Sequence, residues 1–259
     1  MKAGVFMNIP KVKFKKMSLK ENIEIIKWSF FEDGLDLDVH NYTIQYFPEL
    51  EFIDINLSQD EINNKIKEVI TKYYEKYENK IDSEVIRYNQ LWEKYNDKYF
   101  ETLSNFFGCS FPKKINEIVA TVGLIPVFPR NLDTLSFSIS TNVDDIKLIE
   151  TTAHEILHFM WFEKWKIIHP ETPRRNYDTP YLEWKYSEMV TDSILNNKPF
   201  NEIFDFNEKG YDSFYELYDG ELLVMDKLRD IYSTDKDINT KIELGFNYIK
   251  KYFGNENED

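Results

Sequence analysis

The stretch TTAHEILHFMW, residues 151–161, holds two of the chain's four histidines, four positions apart, with Glu155 directly after the first. On a helix, residues four apart share a face, so the imidazoles of His154 and His158 can converge on one ion. Zinc takes imidazole nitrogen at about 2.0–2.1 Å, and a catalytic zinc needs a third protein ligand with a fourth position left to water. Glu155 sits one residue round the helix from His154. Its carboxylate can take a proton from that water and hand it to a leaving amine. With 4 His and 26 Glu in 259 residues, a shuffled chain shows this pattern roughly five times in a thousand. Two polar residues that merely share a helix side are therefore the competing reading.

The rest of the chain must supply the third ligand. The longer pattern HExxHxxGxxH places a glycine three residues and a histidine six residues after the second histidine. Trp161 and Lys164 stand there, which excludes that variant. Downstream, WKYSEMVTDSILNN (184–197) reads as a helix with Glu188 and Asp192 on one face. Glu188 lies 30 residues beyond His158 (188 − 158), room for one helix to end, a loop to turn and a second helix to return alongside. Its carboxylate can complete the ligand set, and Asp192 can accept the other ring N–H of a ligating histidine.

His154-Glu155-x-x-His158 followed by Glu188-x-x-x-Asp192 resembles the gluzincin metallopeptidases, the thermolysin-like zincins, and SEMVTDSI is similar to their glutamate-helix signature. The resemblance covers about residues 118–196. It implies one zinc ion (Zn2+) held by His154, His158 and Glu188, with Glu155 as general base, Asp192 as a hydrogen-bonding partner of a ligand, and a peptide or protein as substrate. Those enzymes carry an asparagine just before the glutamate, and this chain departs with Ser187. The upstream order of strands also fits, with IPVF (125–128) as an edge that would pair with an extended substrate.

Peptide deformylases resemble the layout too, with a cysteine ligand some tens of residues before an HExxH helix, and GCS at 108–110 invites that comparison. Their glycine-rich N-terminal motif is absent, and a lone thiol such as Cys109 is more commonly buried and inert. A reading from another class is a zincin-shaped protein that holds metal or a peptide for regulation without cutting. The intact Glu155 argues against it. His169, in a loop with three prolines, reads as an ordinary loop histidine with a ligand or transition-state role as its alternatives; His40 reads as structural or exposed. Peptide hydrolysis also needs a donor for the developing oxyanion, and His169, Tyr177, Tyr211, Tyr215 and Tyr248 all stay open for it.

Such a site needs rigid elements to hold it. Ser18 with Glu21 and Ser58 with Glu61 form two capping boxes, each opening an apolar-striped helix. A stripe from Ser83 to Phe107, through Tyr88, Trp92, Tyr95, Tyr99 and Leu103, predicts a further helix stopped by Gly108. KINEIVATVGL (114–124) is β-rich, and LSFSIS (135–140) alternates as a half-buried strand does. Asn142 can cap the motif helix, about 143–165, with Asp144 and Asp145 in its first turn. The glutamate helix spans about 181–196, and FMWFEKW anchors the motif helix in a core. Helices are also expected at 212–232 and 237–252. The expectation is an α+β fold, predominantly helical. Residues 1–112 form a mainly helical N-terminal region able to cover a cleft, and 113–259 a zincin-like metallopeptidase region with a small β-sheet.

Composition narrows the partners. Apolar residues make up 42%, enough for a globular core, and 46 acids against 32 bases give a net charge of −14. That field repels nucleic-acid phosphates and anionic lipid heads, so neither nucleic acid nor membrane is an expected partner. Residues 1–20 carry six lysines and no acid, read as a basic arm on a body of −20 (−14 − 6). A single cysteine excludes an intramolecular disulfide and suits a reducing compartment. The longest apolar run, IVATVGLIPVF (118–128), is too short to span a bilayer, and the N-terminus lacks a signal-like core. A soluble cytoplasmic protein is the expectation.

Overall fold

The computed structural model describes residues 8–31, 39–125, 127–207 and 209–253. In chain order its elements are β1 (Lys11–Lys16), α1 (Leu19–Phe31), α2 (Val39–Tyr46), α3 (Gln59–Glu93), α4 (Asn96–Phe107), β2 (Glu117–Gly123), β3 (Arg130–Asn131) and β4 (Ser136–Ser140). There follow α5 (Asp145–Ile168), α6 (Leu182–Leu195), β5 (Tyr218–Asp219), β6 (Leu222–Leu223), α7 (Val224–Ser233) and α8 (Ile238–Phe253). The fold is α+β and predominantly helical, as the sequence indicates. The chain forms two units, one of residues 11–94 and 117–151, the other of residues 1–10, 95–116 and 152–259. Among the described residues no helix is long and apolar enough to cross a membrane.

The first unit is built on a four-stranded sheet in the order β1-β2-β4-β3, with β1, β2 and β4 parallel and β3 antiparallel at one edge. β1 corrects the reading of the lysine-rich start as an arm. In KVKFKK, Val12 and Phe14 are buried while Lys11, Lys13 and Lys15 are exposed, the period of a half-buried strand. IPVF is not the edge strand: Ile125, Val127 and Phe128 lie outside any strand, Pro126 lies outside the described residues, and Arg130–Asn131 takes the edge. β4 is buried on both faces rather than one: Ser138 and Ser140 are buried as well as Phe137 and Ile139, as in a parallel strand covered on both sides of the sheet.

Both capping boxes form. Ser18 N–H donates to Glu21 Oε2 (2.7 Å) while Glu21 N–H donates to Ser18 Oγ (3.2 Å), and Ser58 and Glu61 repeat the exchange at the start of α3. α3 runs unbroken for 35 residues, through the position near Ser83 where the sequence suggested a new start. The break comes at Lys94–Tyr95, and α4 ends on Gly108 at φ 61°, as expected of a helix-stopping glycine. Ile62, Ile66, Ile70, Tyr74, Ile81 and Tyr88 form the buried stripe of α3 against β1 and α1. At the outer side of β1, the Asn89 carboxamide accepts from Phe14 N–H (3.1 Å) and donates to Phe14 C=O (2.8 Å). The cap of α5 is Asp144, whose carboxylate accepts from Lys147 N–H (2.8 Å), and not Asn142.

In the second unit α6 is buried along nearly its whole length. Phe159, Met160, Trp161, Phe162 and Trp165 of α5 are likewise buried, so FMWFEKW is a core anchor. Tyr186 of α6 donates its hydroxyl to the Ile242 carbonyl (3.0 Å) and shares a hydrogen bond with the Tyr232 hydroxyl (2.9 Å), tying α6 to α7 and α8. Gly245 is required where this hydroxyl sits: a Cβ there would lie 2.2 Å from Tyr186 Oη. The helix expected at 212–232 is shorter. Its first half is a 3₁₀ turn and the β5–β6 hairpin, turned by Gly220 at φ 65°, and α7 begins only at Val224.

Candidate metal centre

The site residues His154 and His158 of α5 and Glu188 of α6 all belong to the second unit, and each helix contributes through one face. His154 and His158, one turn apart on α5, point the same way: their Nε2 atoms are 2.9 Å apart. Glu188 arrives from α6, with Oε2 at 3.4 Å from His154 Nε2 and 3.3 Å from His158 Nε2. Three donors around a tetrahedral ion with bonds of about 2.0–2.1 Å stand about 3.3–3.4 Å from one another. The observed separations match that geometry to within a few tenths of an ångström. Among the described residues this is the one place where three or more His, Cys, Asp or Glu donors converge.

The environment suits a cation. His158 is fully buried and Glu188 nearly so, while the His154 side chain keeps 17% of its surface exposed. A carboxylate inside a protein is costly unless a positive charge or hydrogen bonds offset it. Two imidazole nitrogens and a carboxylate oxygen facing one point are a donor set that zinc accepts. Glu155 is also buried.

Asp192, one turn beyond Glu188, is fully buried and heavily engaged. Arg229 of α7 reaches both its oxygens, Nε to Oδ1 at 3.2 Å and Nη2 to Oδ2 at 2.6 Å. The Tyr215 hydroxyl donates to Oδ2 (2.6 Å) and the Asn196 amide to Oδ1 (2.7 Å). The bonds to Asp192 hold the Arg229 guanidinium further above its ordinary pKa, against desolvation. Burial first, and then the bond to Asp192, push the Tyr215 phenol up. Ser187, where the gluzincin pattern has asparagine, turns its hydroxyl back onto the Trp184 carbonyl (2.7 Å).

The other candidates are spread out. His169 lies three turns along α5 from His158, about 16 Å, with its ring on Trp165 and its Nε2 3.1 Å from Glu243. Tyr177 is buried against Phe162, Tyr211 packs on Trp184 and Phe214, and Tyr248 contacts Tyr252. The Tyr215 hydroxyl is committed to Asp192. Cys109 is half-buried with its thiol 3.5 Å from Met160 Sδ, and burial raises its pKa, which leaves it a poor nucleophile. It is not among the converging donors. His40 packs against Phe30 in the other unit, the rings tilted by 58°. Sequence reasoning missed Arg229, which is 37 residues from its partner and follows no spacing rule.

Comparisons of the chain with protein-family models, with curated proteins and with solved structures return no match.

Proposed function

We propose that this chain is a zinc-dependent peptidase in which His154, His158 and Glu188 hold one metal ion and Glu155 is the general base. The observation that carries the reading is the convergence of three donor atoms within 3.4 Å from two separate helices, with a glutamate next to the first histidine. The choice of a peptide as substrate rests on the likeness of the His154–Asp192 pattern to gluzincins. Bound at this donor set, zinc supplies a Lewis acid that polarises a carbonyl and brings the pKa of a water towards about 7. Glu155 takes a proton from water as its oxygen adds to the peptide carbonyl, then returns that proton to the amine nitrogen as the C–N bond breaks. Asp192, with its charge offset by Arg229, steadies α6 so that Glu188 keeps its aim.

Metal analysis and a peptide-library digest test this directly. Glu188→Ala loses stoichiometric zinc. Glu155→Gln keeps zinc and loses hydrolysis by about a hundredfold or more; undiminished activity in that variant refutes the mechanism. A second reading, a metal-binding regulator that does not cut, is favoured by one observation: the hydroxyl of Tyr215, a candidate oxyanion donor, is already spent on Asp192. New peptide termini that vanish with chelator support the enzyme, and an unchanged library supports the regulator.

A further inference from the structure

Trp184, Glu188 and Asp192 stand four apart on α6 and lie along one stripe of it. One loop, residues 209–216, meets that stripe at each level. The Tyr211 ring packs on the Trp184 ring at 5.9 Å. Gly210 passes beside the Glu188 backbone, where a Cβ on it would lie 3.6 Å from the Glu188 carbonyl oxygen. The Tyr215 hydroxyl donates to Asp192 Oδ2 at 2.6 Å. The loop is braced in turn, because Phe214 is buried and the Gly210 N–H donates to the same Tyr215 oxygen (3.1 Å). One phenol oxygen thus joins the backbone of the loop to α6, a single turn beyond Glu188.

That junction bears on the metal centre through the rotation of the helix. A ligand carboxylate stands about 6 Å from the axis of its helix. A turn of α6 by about 10° therefore moves it by about 1 Å, which is enough to loosen a metal site. Tyr186, about 200° round the helix from Glu188, is held by the Tyr232 hydroxyl and the Ile242 carbonyl. The stripe that carries Glu188 has Tyr215 and Arg229 for its hydrogen-bonded ties at Asp192.

We propose that Tyr215 is a positioning residue for the metal centre: by tying the 209–216 loop to Asp192 it fixes the rotation of α6, and with it the approach of Glu188 to His154 and His158. This role rests on the metal centre proposed above and does not depend on whether a peptide is cut. Tyr215 acts through Asp192 and the helix, not on the ion itself.

Zinc affinity of the full chain, measured by competition with a chromophoric chelator and set beside thermal unfolding of the zinc-free protein, tests this. Tyr215→Phe keeps the ring and removes the hydroxyl, and its Kd for zinc should rise about tenfold. Tyr232→Phe is the comparison, since it removes a buried hydroxyl bond to the opposite side of α6. Its Kd for zinc should stay within about twofold of the wild-type value, even where its melting temperature falls as far as that of Tyr215→Phe. Unchanged zinc affinity in Tyr215→Phe, or an equal loss in Tyr232→Phe, overturns the role of Tyr215 and leaves the metal centre standing. A wild-type chain that takes up no zinc, or a Glu188→Ala chain that binds it as tightly, overturns the metal centre and this role with it.

Discussion

Asp192 shows how one carboxylate can be both expensive and necessary. Its side chain is 1% exposed, and Arg229, Tyr215 and Asn196 share the task of offsetting its charge. Removing one member of a buried ion pair typically costs about 3–5 kcal/mol. Arg229 is 37% exposed, so water screens part of its contribution, and Arg229→Met is expected to destabilise by about 2 kcal/mol in urea unfolding. Arg229→Lys should recover only part of that, because an ammonium cannot fork across both oxygens; a loss under about 0.5 kcal/mol for Arg229→Met would show that Tyr215 and Asn196 suffice. At this scale the sequence was informative where chemistry is local. His154, Glu155 and His158 are legible because one helical turn fixes their relation, and Glu188 because a second helix of known spacing could bring it back. Arg229 was not, since a contact across 37 residues is made by tertiary packing that no periodicity records.

Elements respond to pH and to volume in ways that can be separated. Bonds from Ser58 lower the pKa of Glu61, so the capping box of α3 is present above the unfolded carboxylate value and is lost as pH falls through the lowered folded one. Amide protection at Glu61 and Ile62 should therefore drop below about pH 4, and Glu61→Gln, which can still accept the Ser58 N–H, should flatten that dependence. Gly245→Ala tests packing instead. Its Cβ would meet Tyr186 Oη at 2.2 Å and Cζ at 3.0 Å, an overpacking expected to cost about 1–3 kcal/mol; Tyr186→Phe in the same chain should return part of it, seen by thermal unfolding. Capping boxes and the Gly108 stop were legible because each is a short-range device. β1 was missed because lysines at alternate positions drew attention to charge when Val12 and Phe14 carried the strand period. The hairpin at 218–223 was signalled by Asp219-Gly220, a turn pair overlooked inside an apparent helical stripe.

At the level of the whole molecule, a metal ion at this donor set would couple to stability. The unit that holds the donor set is assembled from three separated stretches of chain, and residues of α5 and α6 supply its donors. A ligand that binds only the folded state stabilises it by about 4 kcal/mol at a thousandfold excess over Kd. Zinc is thus expected to raise the melting temperature by about 10 °C, and a scan of Glu188→Ala with and without zinc should show no such rise. An equal rise in that variant would place the ion elsewhere. The interleaving of the two units could not be read from sequence, because neither composition nor a linker marks the crossings at 10–11, 94–95, 116–117 and 151–152.

Asn89 carries a consequence for how copies of this chain meet. One carboxamide stands in for the peptide group of an absent neighbour, so the border of the sheet offers an incoming backbone no unspent donor or acceptor at its midpoint. The outer border of β1 is thus closed at Phe14 by a single side chain 75 residues further along.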